Sequence, residues 1–124
     1  MDKKTLMIGD WVYNTHNRQN EQVQEIGSGL VMLNYNDLYE YDEIEPIPLT
    51  TEILEKNGFV LKEKEKGMYG VNIAPHYISD GVPFEVFCDG EPFAIWFKEP
   101  VNIKFVHQLQ HALKLCSISK EIEL

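Results

Sequence analysis

The most regular alternation of apolar and polar positions runs from Val82 to Phe97, VPFEVFCDGEPFAIWF. It predicts two strands joined at Asp89-Gly90, because a type I′ hairpin turn needs positive φ at both central residues. Side chains alternate across a strand, so Phe84, Val86 and Cys88 share one face and Phe93, Ile95 and Phe97 share the matching face of the second strand. These six are the expected centre of a core. After a turn at Glu99-Pro100, Val101, Ile103 and Phe105 alternate with Asn102 and Lys104 and extend that face by one more strand. The period then changes. Val106, Leu109, Leu113 and Cys116 recur at spacings of three, four and three with Ala112 alongside, which predicts a helix over 106–116 whose apolar stripe lies on the hairpin.

The first half is patterned as short strands: 6–14, 23–26, 30–35 and 38–41, separated by a polar loop at 14–20, Gly27-Ser28-Gly29 and a turn at 34–37. A sheet that small must curl to enclose a core, which predicts an SH3-like sheet or barrel with Trp11 and Tyr13 on one face and Tyr39 and Tyr41 on one face. Val23 and Ile26 cannot point the same way without a bulge. The prolines of Ile44–Leu49 predict an extended connector. It leads to a short helix capped by Thr50 or Thr51 and closed by Asn57-Gly58. A second hairpin is expected from 59–65 and 68–73 about Lys66-Gly67, then a break at Ala74-Pro75, brief pairing at Tyr77-Ile78 and a turn at Asp80-Gly81. Residues 117–124 are expected as an edge strand or a frayed tail. The fold class is therefore α+β: an N-terminal SH3-like β lobe over 1–48, then a short helix, an antiparallel β-meander and a C-terminal helix over 49–124.

Composition adds constraints. At 124 residues, 44% hydrophobic and 25% charged, the chain is globular in type. Its net charge is −9, and the acidic excess lies between Asp37 and Glu55, where seven carboxylates occur without a Lys or Arg. That opposes binding to a phosphate backbone, and the one dense basic run, Lys62, Lys64 and Lys66, is interleaved with Glu63 and Glu65. No nucleic-acid partner is expected. The apolar run after Lys3 and Lys4 is only Leu6-Met7-Ile8, and no segment reaches membrane-spanning length, so no membrane partner is expected and the cytoplasm is the expected location. Cys88 and Cys116 fit free thiols in a reducing compartment.

The candidate chemistry is sparse. Trp11, Tyr13, Tyr35, Tyr39 and Tyr41 would suit an aromatic surface for a cation or peptide, and Asp42 and Glu43 beside it would favour a basic partner. Aromatics are also common in strands merely because they pack well there. His107 and His111, four apart on the predicted helix, have the geometry of half a zinc site and define the alternative of a metal-dependent enzyme, although no further ligand has diagnostic spacing. A second alternative is that the acidic run imitates DNA phosphates. There is no phosphate loop, nucleophile elbow, paired-Cys motif or His-Glu metalloprotease helix. Cys88 is expected to be inert among apolar neighbours, since burial raises a thiol's pKa. The expectation is a non-enzymatic protein- or peptide-binding module without a cofactor.

Three segments, IGDWV, IEPIPLTTEILEKNGF and VHQLQHAL, resemble a family of small uncharacterised proteins of Bacteroides-type gut bacteria and their prophages. The middle segment is the most specific. The resemblance implies a cytoplasmic accessory protein of mobile-element origin and carries no activity, cofactor or catalytic residue.

Overall fold

The computed structural model describes residues 6–34, 37–62, 65–66, 72–73, 76–88, 92–96 and 99–124. Tyr35, the Gly67 reversal, Ala74-Pro75, the Asp89-Gly90 turn and Phe97 lie outside the described residues. The protein is α+β, with antiparallel sheets and a C-terminal helix packed on strands. It divides into two compact units, Met1–Pro48 with Phe105–His107, and Leu49–Lys104 with Gln108–Leu124. Among the described residues no helix is long and apolar enough to cross a membrane.

In the first unit, β1 (Trp11–Asn14) is the middle of a three-stranded sheet, between β2 (Gln19–Gln22) and β6 (Ile44–Pro46). A second three-stranded sheet has the order β3 (Glu25–Ile26), β4 (Leu30–Met32), β5 (Leu38–Glu40). Leu6, Val12, Val23, Val31, Leu33, Tyr39 and Ile44 form its core. Three expectations change here. The loop expected over 14–20 is only the turn Thr15–Arg18, because β2 pairs with β1 although its sequence, QNEQ, is wholly polar. The expected connector begins as β6, which tolerates Pro46 because it is an edge strand with β1 as its partner. Tyr41 lies in a single 3-10 turn, Tyr41–Glu43, rather than in a strand. Val23 is buried and Ile26 exposed, and the break between β2 and β3 resolves their conflict of register without forcing both inward. Phe105–His107 joins this unit through an antiparallel bridge from Phe105 to Pro48 and a 2.9 Å hydrogen bond from the Val106 N–H to the Ile47 carbonyl.

The second unit opens with α1 (Thr51–Lys56), whose Thr50 hydroxyl accepts from the Ile53 N–H at 3.3 Å. Gly58 ends it in the left-handed region, φ 84°, with Gly58 N–H donating to Glu55 O and Phe59 N–H to Leu54 O, a Schellman closure. A five-stranded sheet follows, in the order β13 (Glu99–Asn102), β12 (Phe93–Trp96), β11 (Glu85–Phe87), β10 (His76–Ile78), β7 (Val60–Lys62), and β8 (Glu65–Lys66) pairs with β9 (Asn72–Ile73). The second hairpin reaches further than expected: among the described residues, β7 with β10 and β8 with β9 share one antiparallel register, from Val60 opposite Ile78 to Lys66 opposite Asn72, and the brief pairing expected at Tyr77-Ile78 becomes a strand flanked on both sides. Glu99-Pro100 belongs to β13, opposite Trp96 and Ile95, rather than to a turn.

The register corrects the expected core face. Tyr77 lies opposite Val86, Val86 opposite Ala94, and Ala94 opposite Val101, so this row shares one face. Ala94 is only 1% exposed, whereas Phe93 and Ile95, expected inside, point to the other face and are half-buried. Phe84 and Val86 are buried as expected, and Cys88 is half-buried. The opposite face carries its own aromatic row: Phe87 stacks on Phe93 at 5.1 Å, and His76 lies 5.3 Å from Phe87. α2 (Val106–Leu115) buries Leu109, Ala112 and Leu113 in this unit, and Cys116 falls at its cap, half-buried. Ser117, φ 57°, ends the helix with bonds from Ser117 N–H to Lys114 O and from Ile118 N–H to Leu113 O, the same closure as at Gly58. The tail is neither strand nor frayed. Asn57 holds it, its Nδ2 donating to Glu123 O at 2.8 Å and its Oδ1 accepting from Glu123 N–H at 2.7 Å, and Ile122 is buried.

Candidate functional site

In β1 the odd and even positions separate cleanly. Val12 and Asn14 are buried, while Trp11 and Tyr13 share the opposite face, each half-buried. The register places Gln22 opposite Trp11, and Asn20 and Glu45 on either side of Tyr13. Directly opposed residues of a sheet present neighbouring side chains, so two aromatic rings lie on a polar face with one carboxylate beside Tyr13.

The other aromatic candidates are placed elsewhere. Tyr39 pairs with Val31 and is buried in the core, its hydroxyl accepting from Asn17 Nδ2 at 2.9 Å and its ring 6.0 Å from His16. Tyr41 is half-buried against the same core and donates its hydroxyl to Gly27 O at 2.7 Å. The structure therefore brings Trp11 and Tyr13 together on one face and puts Tyr39 and Tyr41 on the core side. Asp42 is exposed. Glu43 turns its carboxylate onto the Glu40 N–H at 2.9 Å, and its carbonyl accepts from the Thr15 N–H and hydroxyl, so it braces the turn.

A buried carboxylate escaped the sequence reading. Glu21 lies opposite Val12 on the core face and is 0% exposed. Its Oε2 accepts from Asn14 Nδ2 at 2.7 Å and from Asn17 Nδ2 at 3.2 Å, and Oε1 has no hydrogen-bond partner among the described residues. Asn14 Oδ1 in turn accepts from the N–H groups of His16 and Asn17. These contacts hold the Thr15–Arg18 turn, where Arg18 has φ 56°. In sequence the stretch up to Asn20 reads as a polar loop, with no element at Glu21, and a polar stretch carries no burial signal.

In the second unit a pocket of about 410 Å³ lies beside β7, lined by Gly58, Val60, Lys62, Ile78, Asp80 and Lys120 among others. The Lys120 ammonium sits 5.9 Å from the Phe59 ring centroid. Cys88 has its thiol pKa pushed up by burial, in the direction that suppresses nucleophilicity. The Tyr77 hydroxyl is also pushed up, first by burial and then by the neighbouring Glu55 carboxylate, to which it donates at 3.3 Å. Of the histidine pair, His107 is buried with its ring stacked at 5.9 Å on Phe105, and His111 is half-buried. Among the described residues no group of three or more His, Cys, Asp or Glu side chains is placed to hold a metal ion. Both cysteines are free thiols. In comparisons with protein-family models, curated proteins and solved structures, nothing matches this chain.

Proposed function

We propose that this protein is a non-enzymatic module that binds a protein or peptide through the Trp11–Tyr13 face of its first unit. The observation that carries the reading is the pair of half-buried rings on the middle strand of a sheet, flanked by Asn20, Gln22 and Glu45. Aromatic side chains with one apolar body and one polar tip are the usual anchors of such surfaces. Glu45 beside Tyr13 and exposed Asp42 in the turn just before β6 favour a basic, extended partner. The proposed setting is the cytoplasm of a Bacteroides-type bacterium, in an accessory role of prophage origin.

Affinity capture from that host with the wild-type chain and with Trp11→Ala/Tyr13→Ala tests the reading. A basic protein held by the wild type and lost with the double variant, at equal thermal stability, is the expected outcome. If no captured protein depends on Trp11 or Tyr13, the reading falls.

A further inference from the structure

We propose that the outer edge of β7 and the pocket beside it form a docking site for an extended, acidic segment of another protein, which adds as a strand alongside β7 and sets a carboxylate between Lys62 and Lys120. This site lies in the other unit from Trp11 and Tyr13 and has the opposite charge preference, so neither stands or falls with the other.

β7 ends the order of the five-stranded sheet and, among the described residues, pairs only with β10. An end strand turns part of its backbone N–H and C=O groups away from its sheet, and an extended peptide can take them up. Edges are commonly guarded by proline or charge. The opposite edge, β13, has Pro100. β7 instead presents Val60 at 61% and Leu61 at 38% exposure, with Lys62 as its one charge.

The pocket adds specificity to that edge. Val60 lies opposite Ile78, and Lys62, two positions on, shares their face, so an apolar floor runs into a cation. The second cation arrives from the far end of the chain. Lys120 is held there because Asn57 fastens Glu123, Ile122 is buried and Phe59 lies beneath the ammonium. Gly58 leaves room for it, since a Cβ at that position would stand 3.3 Å from Lys120 Nζ. Asp80 lines the same pocket, so its described lining sets two cations against one carboxylate in a chain whose net charge is −9. Charge complementarity of this kind selects partners and raises association rates.

The test is calorimetric and NMR titration of the full chain with an acetylated, amidated peptide of about eight residues alternating Val and Glu, against a Val–Lys peptide and inorganic phosphate. Saturable binding of the Val–Glu peptide is expected, with amide shifts at Val60–Lys62 and affinity lowered at least about tenfold by Lys62→Glu/Lys120→Glu. Val60→Ser, which removes the apolar side chain at an exposed position without adding charge, tests the edge separately and is expected to weaken binding of the Val–Glu peptide. The proposal is overturned by failure to saturate, by equal binding to the variants, by shifts confined to Trp11 and Tyr13, or by phosphate reproducing the whole response.

Discussion

Ala94 and Ile95 show how a single register decides what a residue does. All four residues of β12, Phe-Ala-Ile-Trp, are apolar, so alternation alone cannot say which pair faces the core. The pairing of Val86 with Ala94 decides it. Ile103, beyond the end of β13, is fully buried, so Ile103→Ala is expected to cost about 2–5 kcal/mol in denaturant melts, while Ile95→Ala, at a half-buried position, costs only about 1 kcal/mol. Equal losses would show that Ile95 is buried as deeply as Ile103 and would overturn the assigned face of β12. Glu21 marks the opposite limit of legibility, since a carboxylate in a polar strand has no pattern that announces burial. Tyr77 gives a pH signature. Its hydroxyl is held above the ordinary range in the folded state, so the unfolded chain loses this proton first as the pH rises past about 10, and stability falls there. Tyr77→Phe should flatten that fall in melts taken from pH 9 to 11. An unchanged slope would remove Tyr77 from the account.

At the scale of elements, the two helices close in the same way with different residues. Gly58 was legible as a stop because Asn-Gly is a strong terminator, whereas nothing in Ser117 signals a left-handed cap. Ser117→Gly is expected to raise stability by about 1 kcal/mol by relieving the positive φ, and Gly58→Ala to lower it by about 1–2 kcal/mol. Thermal or denaturant melts of the two variants check both signs. The polar strand β2 and the proline-bearing strand β6 were not legible, because each is held by β1 rather than by its own propensity. The anchoring of the tail is not legible for a similar reason: it is held by Asn57, 66 positions from Glu123. Asn57→Ala removes both bonds to Glu123 and is expected to cost about 1–3 kcal/mol and to speed amide exchange at Glu123. Unaltered exchange there would show that Ile122 holds the tail alone.

For the whole molecule, the class of fold was legible from period and punctuation: strands with period two, a final helix with stripe spacing, and turns at Gly-containing pairs. The aromatic face was legible only in part. Trp11 and Tyr13 share a face as their spacing requires, but the same alternation in β5 directs Tyr39 inward because Val31, its partner, is fully buried. The pocket in the second unit was not legible at all, since it draws on residues from Gly58 to Lys120 that only the folded chain brings together.

The acidic run is likewise divided, with Asp37–Glu45 in the first unit and Glu52 and Glu55 in the second, and Glu43 and Glu55 engaged in hydrogen bonds within their units. What the first unit offers a partner is therefore best measured at Trp11 itself. An NMR titration with an extended Lys-rich peptide is predicted to shift the Trp11 indole N–H and the backbone amides of Trp11–Asn14, Ile44 and Glu45 saturably, and to leave no such response in Trp11→Ala/Tyr13→Ala. Unmoved signals at millimolar peptide, or shifts that survive both substitutions, would contradict the proposed binding role.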